Sequence, residues 1–204
     1  MVDFGRKWTP FIIGNSFYIK PESFDEKKER INITLGSGRA FGSGEHETTR
    51  HCLELMEALS FSSRQKVLDY GTGTGILAIA AAKLNAGLIL ALDIDFNAIS
   101  ACKNNIQLNH IDQKMLLACA DLSCISPHIQ FDYILANIYA DIILKNFLQL
   151  DYLLKKGGYI LLSGIDWDYI DNVKRSYSEP NYQIVNQKIG NDYNSILYRK
   201  VFEN

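Results

Sequence analysis

The residues with the clearest chemical meaning surround a glycine-rich loop in the first half of the chain. Gly71, Gly73 and Gly75 alternate with threonines, after a strand-like apolar run at 66–69 and before an alanine-rich, helix-like run that starts at Ile76. Glycine lets the backbone turn tightly and approach a ligand, and the free N–H groups at a helix start point towards that ligand. The order of strand, glycine turn and helix predicts a nucleotide-type site at the carboxyl end of a parallel strand.

The spacing of the glycines and the acid before them indicate which ligand the loop holds. The chain lacks the Gly-Lys-Ser/Thr triplet of a phosphate-binding loop, and its G-x-G-x-G pattern differs from the G-x-G-x-x-G of dinucleotide sites because Ile76 stands three residues after Gly73. Asp69 ends the preceding strand. A carboxylate repels a pyrophosphate but attracts a sulfonium or an ammonium group. The pattern therefore predicts S-adenosylmethionine, which is positively charged and has no phosphate.

Two further acids follow the next two predicted strands. Asp93 ends the second strand, where it can accept hydrogen bonds from both ribose hydroxyls, each contributing roughly 1.5–3 kcal/mol when well formed. Asp121 follows the third strand, where it is placed to contact the edge of the adenine base. The alternative for such acids is a solvated strand end or a helix cap, and we prefer the cap for Asp95. Asp69, Asp93 and Asp121 are therefore predicted cofactor-binding residues.

The elements that position these residues alternate between strand and helix patterns. Helices are predicted after the strands, including a long one at about 141–154 that Gly157-Gly158 would end, and Thr48 or Thr49 is predicted to cap an earlier one. This order predicts an α/β fold with a doubly wound, mostly parallel seven-stranded sheet and a C-terminal antiparallel hairpin. The predicted strands of this sheet are 66–69, 88–95, 114–119, 131–137, 159–163, 182–189 and 195–202.

The first 45 residues are less regular. They contain apolar clusters around Phe11 and Phe17, a turn candidate at Gly14-Asn15 and an alternating run at 31–35, which predict short strands lying against the main domain. We therefore expect a connector-like segment at 1–45 and an S-adenosylmethionine-binding catalytic domain at 46–204.

Composition excludes several classes of function. The 204 residues are 47% apolar and 22% charged, with a net charge of −2, which argues against a protein that relies on neutralising nucleic-acid phosphates. No run approaches the ~20 apolar residues of a membrane span, and no signal peptide is apparent, so a cytoplasmic protein is expected. The four cysteines have no C-x-x-C pairing, so no metal site is predicted.

Three stretches resemble class I S-adenosylmethionine-dependent methyltransferases, and more narrowly the PrmA family of ribosomal-protein methyltransferases. Residues 40–50, AFGSGEHETTR, are similar to that family's FGTGxHxTT loop. Residues 69–80 are similar to its cofactor loop, and residues 135–141 to its Ala-Asn-Ile/Leu motif. The resemblance implies a Rossmann-like methyltransferase fold. Carried over by position, it implies a set of cofactor-contacting residues: Phe41, Thr49, Gly71, Gly73, Asp93 and Asn137.

Asn137 is also the predicted catalytic residue. It ends the fourth strand beside the transferable methyl, where its amide oxygen can accept a hydrogen bond from an attacking amine; the alternative is a cap for the helix near 141. His46 invites a general-base role but is favoured as a structural hydrogen-bonding residue. Tyr139 either lines the same pocket or has only a structural role, packing against neighbouring side chains.

The resemblance begins at the family's connector, and its N-terminal substrate-recognition domain has no counterpart in these residues. The leading hypothesis is N-methylation of lysine or N-terminal amines in a large-subunit ribosomal protein. The alternatives are a small-molecule N-methyltransferase, or a cofactor-binding module that needs a partner to capture substrate. Membrane association is not expected, and direct nucleic-acid binding is disfavoured.

Overall fold

The computed structural model describes residues 8–36 and 44–201. Within these ranges the chain forms ten strands and six α-helices, joined by turns and short 3₁₀ segments. The strands are β1 Phe11–Ile13, β2 Phe17–Pro21, β3 Ile31–Leu35, β4 Lys66–Tyr70, β5 Leu88–Asp93, β6 Met115–Cys119, β7 Phe131–Asn137, β8 Leu154–Asp166, β9 Tyr182–Ile189 and β10 Tyr193–Lys200. The helices are α1 Glu47–Met56, α2 Ile76–Lys83, α3 Phe96–Leu108, α4 Ala140–Lys145, α5 Phe147–Leu153 and α6 Ile170–Ser176.

The main sheet has seven strands in the order β6-β5-β4-β7-β8-β10-β9. Neighbours from β6 to β8 are parallel, whereas β10 runs antiparallel to both β8 and β9. The predicted doubly wound sheet with a C-terminal antiparallel hairpin is therefore confirmed. Because β4, β5, β6 and β7 are parallel, the residues that follow them lie along one edge of the sheet.

Each face of this sheet is covered by its own apolar layer. Side chains alternate along the central strands, so that Val67 and Leu135 belong to one core cluster while Leu68 and Ile134 belong to the other. Helices α1, α2 and α3 contribute to the first cluster, and α4, α5 and α6 to the second. The strands are thus buried on both faces, as parallel sheets require.

Strands β1, β2 and β3 form a separate small sheet, in which β2 pairs antiparallel with β1 and parallel with β3. Its buried residues, among them Phe17 and Ile33, join the same core cluster as α1 and α2. The predicted short strands and the turn at Gly14-Asn15 are observed. The division of the chain at residue 45 stays a prediction.

The predicted single helix at 141–154 is wrong. Asn146 interrupts it, and the segment divides into α4 and α5. The Asn146 side-chain Nδ2 donates to the Ile142 carbonyl at 2.9 Å, and this carbonyl also accepts from the Asn146 N–H at 3.1 Å, so the side chain shares a backbone acceptor of the helix. Such back-bonding by a short polar side chain bends or breaks a helix.

Gly157-Gly158 does not end a helix either, since β8 already begins at Leu154. The register between β7 and β8 shifts here, because Phe131 pairs with Leu154 but Tyr133 pairs with Tyr159. A Cβ at Gly158 would lie 2.8 Å from the Asp132 carbonyl oxygen. The glycine pair therefore allows close approach of two strand backbones at a bulge.

Candidate active site

The glycine loop between β4 and α2 has a backbone that only glycine adopts easily. Gly71, Gly73 and Gly75 have φ angles of 76°, 53° and 82°. A Cβ at Gly71 would overlap Cγ2 of Ile138. The N–H groups of Gly71 and Thr72 donate to the Leu92 carbonyl at 2.9 and 2.8 Å, which ties the loop to the end of β5.

Asp69 lies beneath this loop and is only 1% exposed. Its Oδ2 accepts hydrogen bonds from Thr72 Oγ1 at 2.6 Å and from the Ala78 N–H at 3.1 Å. Burial raises the pKa of Asp69 to about 6, although these two hydrogen bonds favour the charged form. The carboxyl group therefore fastens the loop to the first turn of α2, and its contact with a cofactor stays a prediction.

Asp93 lies at the end of β5, half-buried, and faces the glycine loop. Its Oδ2 accepts from the Gly73 N–H at 2.9 Å, and its Oδ1 accepts from the Asp95 N–H at 3.0 Å. Asp95 itself caps α3 by accepting from the Asn97 N–H, as preferred from the sequence. The structure thus brings Asp93 and Gly73 together at the sheet edge.

Asp121 is exposed after β6 and caps a short 3₁₀ turn. Its Oδ1 accepts from the Ser123 hydroxyl at 2.5 Å and from the Ser123 N–H at 2.9 Å. These two hydrogen bonds, the hydroxyl first, lower the pKa of Asp121. The structure records this capping role, and a contact with adenine stays a prediction.

Asn137 and Thr49 come together from opposite parts of the chain. Asn137 ends β7, and its Nδ2 donates to the Thr49 Oγ1 at 3.4 Å. Thr49 is fully buried in the first turn of α1. Among the residues that the structure describes, the Asn137 amide oxygen has no hydrogen-bond donor and can accept from a ligand. Phe41, the remaining predicted cofactor residue, lies outside the described residues.

The expectation that Thr48 or Thr49 caps α1 is wrong, because His46 occupies the cap position. Its Nδ1 lies 2.9 Å from Thr48 Oγ1 and accepts from the Thr48 N–H at 3.4 Å. The cap frees the Thr49 side chain for Asn137. This is the structural hydrogen-bonding role favoured for His46.

Two residues at the site, Ile138 and Glu47, belong to no motif or spacing pattern that would have identified them from the sequence. Ile138 lies between the backbones of Gly71 and Gly164, and a Cβ at Gly164 would lie 2.5 Å from the Ile138 carbonyl oxygen. Glu47 accepts three backbone hydrogen bonds from the turn between β9 and β10. An apolar residue after an asparagine and an acid at a helix start are both common, so only their tertiary contacts reveal them.

Comparison with known proteins decides the family. The model of the family "Ribosomal protein L11 methyltransferase (PrmA)" matches residues 3–201. The chain belongs to the PrmA family.

Relatives in this family match the chain at nearly full length. The ribosomal protein L11 methyltransferase of Fusobacterium nucleatum is 32% identical over 97% of the chain, and the chain spans 65% of that protein. The solved ribosomal protein L11 methylase of Lactobacillus delbrueckii subsp. bulgaricus is 31% identical, with a TM-score of 0.84 over 96% of this chain and 100% of that one. A methyltransferase solved in complex with SAH matches at 14% identity and a TM-score of 0.65, over 76% of this chain and 50% of that one, and shares the fold alone.

Within the described parts of this PrmA-family chain, no helix is both long and apolar enough to cross a membrane.

Proposed function

We propose that this chain transfers methyl groups from S-adenosylmethionine to lysine or N-terminal amines of ribosomal protein L11. Family membership supports the reaction class and the substrate. The observation that carries the proposal is that the Asp93–Gly73 pair and the Asn137–Thr49 pair lie along the same sheet edge, at the carboxyl ends of β5 and β7 on either side of β4. A ribosomal-protein substrate implies that the reaction occurs in the cytoplasm.

The residues present fit that cofactor. The segment 69–78 contains no lysine or arginine to hold a phosphate, whereas Asp69 and Asp93 bring two carboxyl groups to the loop. Asp93 is half-exposed, and among the described residues each of its oxygens accepts a single hydrogen bond, so lone pairs remain for ribose hydroxyls. When bound, S-adenosylmethionine supplies a methyl group on a sulfonium that is already activated.

The main obstacle to methylation is the proton on the substrate amine. Deprotonating a lysine of ordinary pKa costs about 4–5 kcal/mol at neutral pH, and an α-amine about 1 kcal/mol. The Asn137 oxygen can accept a hydrogen bond from the neutral amine and orient its lone pair, while its Nδ2 is occupied by Thr49. We therefore assign Asn137 as the residue that positions the attacking nitrogen.

Tyr139 follows Asn137 by two residues and is 69% exposed. An exposed aromatic face beside the site can stabilise a methylated ammonium by a cation–π contact worth about 0.5–1 kcal/mol. We therefore include Tyr139 in the proposed substrate pocket.

Asp69→Asn is expected to remove a pH dependence of cofactor affinity. The folded pKa of about 6 exceeds the usual 3.8, so this group's contribution to stability is complete below about pH 4 and is lost as the pH rises through about 6. Only the ionised form of Asp69 attracts a sulfonium. In the parent chain, the affinity for S-adenosylmethionine should therefore fall by up to about tenfold as the pH is lowered from about 7 to about 5. Calorimetry at both pH values measures this change.

Two comparisons control this result. Asn keeps the acceptor for Thr72 and Ala78, so the variant should bind with an affinity that is flat with pH. S-adenosylhomocysteine, whose sulfur is neutral, should show a weaker dependence on pH than S-adenosylmethionine. An equal slope in the parent and in Asp69→Asn would exclude Asp69 as its source.

The proposed activity is tested by incubating the chain with methyl-labelled S-adenosylmethionine and a cell extract. Label in a protein of L11 size is expected. Label in a small molecule would support a small-molecule N-methyltransferase instead, and cofactor binding without transfer would support a module that requires a partner.

A further inference from the structure

The turn between β9 and β10 lies at the same sheet edge as Asn137. Asn137 pairs with Ser163 of β8, and Ser163 pairs with Ser195 of β10, so the three residues form a row across adjacent strands. The Ser163 and Ser195 hydroxyl oxygens are 2.7 Å apart. Residues 190–193 precede Ser195 on an antiparallel strand and therefore project beyond this row, past the carboxyl end of β7.

Glu47, the first residue of α1, holds this turn. Its Oε1 accepts from the N–H groups of Asp192 at 3.1 Å and Tyr193 at 2.9 Å, and its Oε2 accepts from the Asn191 N–H at 3.1 Å. Burial disfavours the charged carboxylate, but the three backbone hydrogen bonds outweigh it and lower the pKa of Glu47. A Cβ at Gly190 would lie 2.6 Å from both Oε2 and the Tyr193 carbonyl oxygen, and because the carbonyl is backbone this position leaves no room for a side chain.

The same turn fixes two aromatic side chains. The Trp167 indole N–H donates to the Asn191 carbonyl at 3.0 Å, and the Tyr193 ring lies 5.5 Å from the His46 ring, centroid to centroid. Trp167 remains 52% exposed, although its only polar group is satisfied. An indole face held in place and open to solvent is suited to contact a cationic or methylated amine.

Glu47 lies two residues before Thr49 on α1. Residues at this spacing do not face each other on a helix, so the side chain that holds the turn is separate from the one that meets Asn137. A change at Glu47 can therefore alter the turn without removing a predicted cofactor contact.

We infer that Glu47 is a positioning residue for the protein substrate: it fixes the 190–193 turn, and with it Trp167 and Tyr193, as a wall against which the amine-bearing segment lies. This inference rests on the proposed function and concerns the same site. In the proposed arrangement Glu47 touches neither the amine nor the cofactor, and it acts through the turn.

Glu47→Gln tests the inference against a matched control, Glu54→Gln. Both acids lie on α1 and contact the hairpin, but Glu54 pairs with Lys188 of strand β9 at 2.8 Å, so its partner lies outside the 190–193 turn. Both substitutions remove one negative charge from the same helix. Methyl transfer to purified L11 gives kcat and KM for each variant, and calorimetry gives the dissociation constant for S-adenosylmethionine.

Glu47→Gln is expected to raise KM for L11 about tenfold, because an amide cannot accept from all three N–H groups as strongly as a carboxylate. Its kcat and its cofactor dissociation constant should stay within about twofold of the parent, and Glu54→Gln should match the parent in all three quantities. Hydrogen exchange at the amides of 191–193 should accelerate in Glu47→Gln only.

Three results would overturn the inference: an unchanged KM in Glu47→Gln, an equal rise in Glu54→Gln, or unchanged exchange at the turn. If the parent chain does not methylate L11 at all, the proposed function is wrong and the assignment of the wall to L11 falls with it. If the parent methylates L11 and Glu47→Gln has the same KM for L11, only the positioning role of Glu47 is wrong and the proposed function stands.

Discussion

Asp93→Ala is expected to lower the affinity for S-adenosylmethionine by at least about 100-fold. The substitution removes both carboxylate oxygens, and two charge-assisted hydrogen bonds to ribose hydroxyls contribute roughly 1.5–3 kcal/mol each. It also removes the acceptor for the Gly73 N–H, so the glycine loop loses one of its ties to the end of β5, while the bonds from Gly71 and Thr72 to the Leu92 carbonyl remain. Titration calorimetry measures the affinity, and thermal unfolding checks that the fold remains.

Asp95→Ala is the matched control for this prediction. It deletes a carboxylate of the same segment and changes the net charge equally, but Asp95 serves the cap of α3. We expect it to lower stability by about 1 kcal/mol and to leave affinity nearly unchanged. Equal losses of affinity in the two variants would mean that Asp93 acts through general electrostatics or folding, not through ribose.

Asn137→Ala is expected to lower kcat for methyl transfer by about 100-fold or more, with a much smaller change in cofactor affinity. The reason is that the variant loses the acceptor that orients the neutral amine, and positioned groups of this kind contribute about 10²–10⁴-fold. Single-turnover kinetics with saturating cofactor measure the transfer step, and calorimetry measures affinity.

Thr49→Val separates the chemistry of Asn137 from its hydrogen bond with Thr49. Valine removes the same 3.4 Å contact from the other side while preserving the shape of the side chain. We expect kcat to fall by only about fivefold, the loss typical of one neutral hydrogen bond. If the two variants lose the same factor in kcat, Asn137 has only a structural role.

The features that the sequence predicted well are those that depend on local pattern. Buried parallel strands are short apolar runs, so the strand that holds Asp69 and the strand that ends in Asn137 were recognisable from composition and turn residues alone. The glycine loop was recognisable because its positive φ angles demand glycine. Parallel order then placed Asp93 and Asn137 at one edge without any knowledge of the tertiary contacts.

The features that it missed depend on contacts between distant residues or on competition within a turn. Asn146 divides a helix because its side chain reaches the Ile142 carbonyl, which an amphipathic pattern does not reveal. His46, and not Thr48 or Thr49, caps α1, and the Thr49 side chain instead accepts a hydrogen bond from Asn137. Glu47 meets a turn 144 residues further along the chain, and no spacing rule connects the two.

Asp69 is an intermediate case. The sequence placed an acid beside the loop, and the structure adds that its carboxyl group is buried and holds the loop from below. An attraction between its charge and the cofactor is compatible with that position, and the pH dependence of affinity separates this attraction from a purely structural role.

The most direct test of the proposed activity is the mass of purified L11 after incubation with this chain and S-adenosylmethionine. We expect L11 to gain whole methyl groups, which peptide mapping should place on lysine side chains or the N-terminal amine, and we expect Asp93→Ala to add none under the same conditions. If L11 stays unmodified although the chain binds S-adenosylmethionine tightly, the proposed methyl transfer to L11 is wrong.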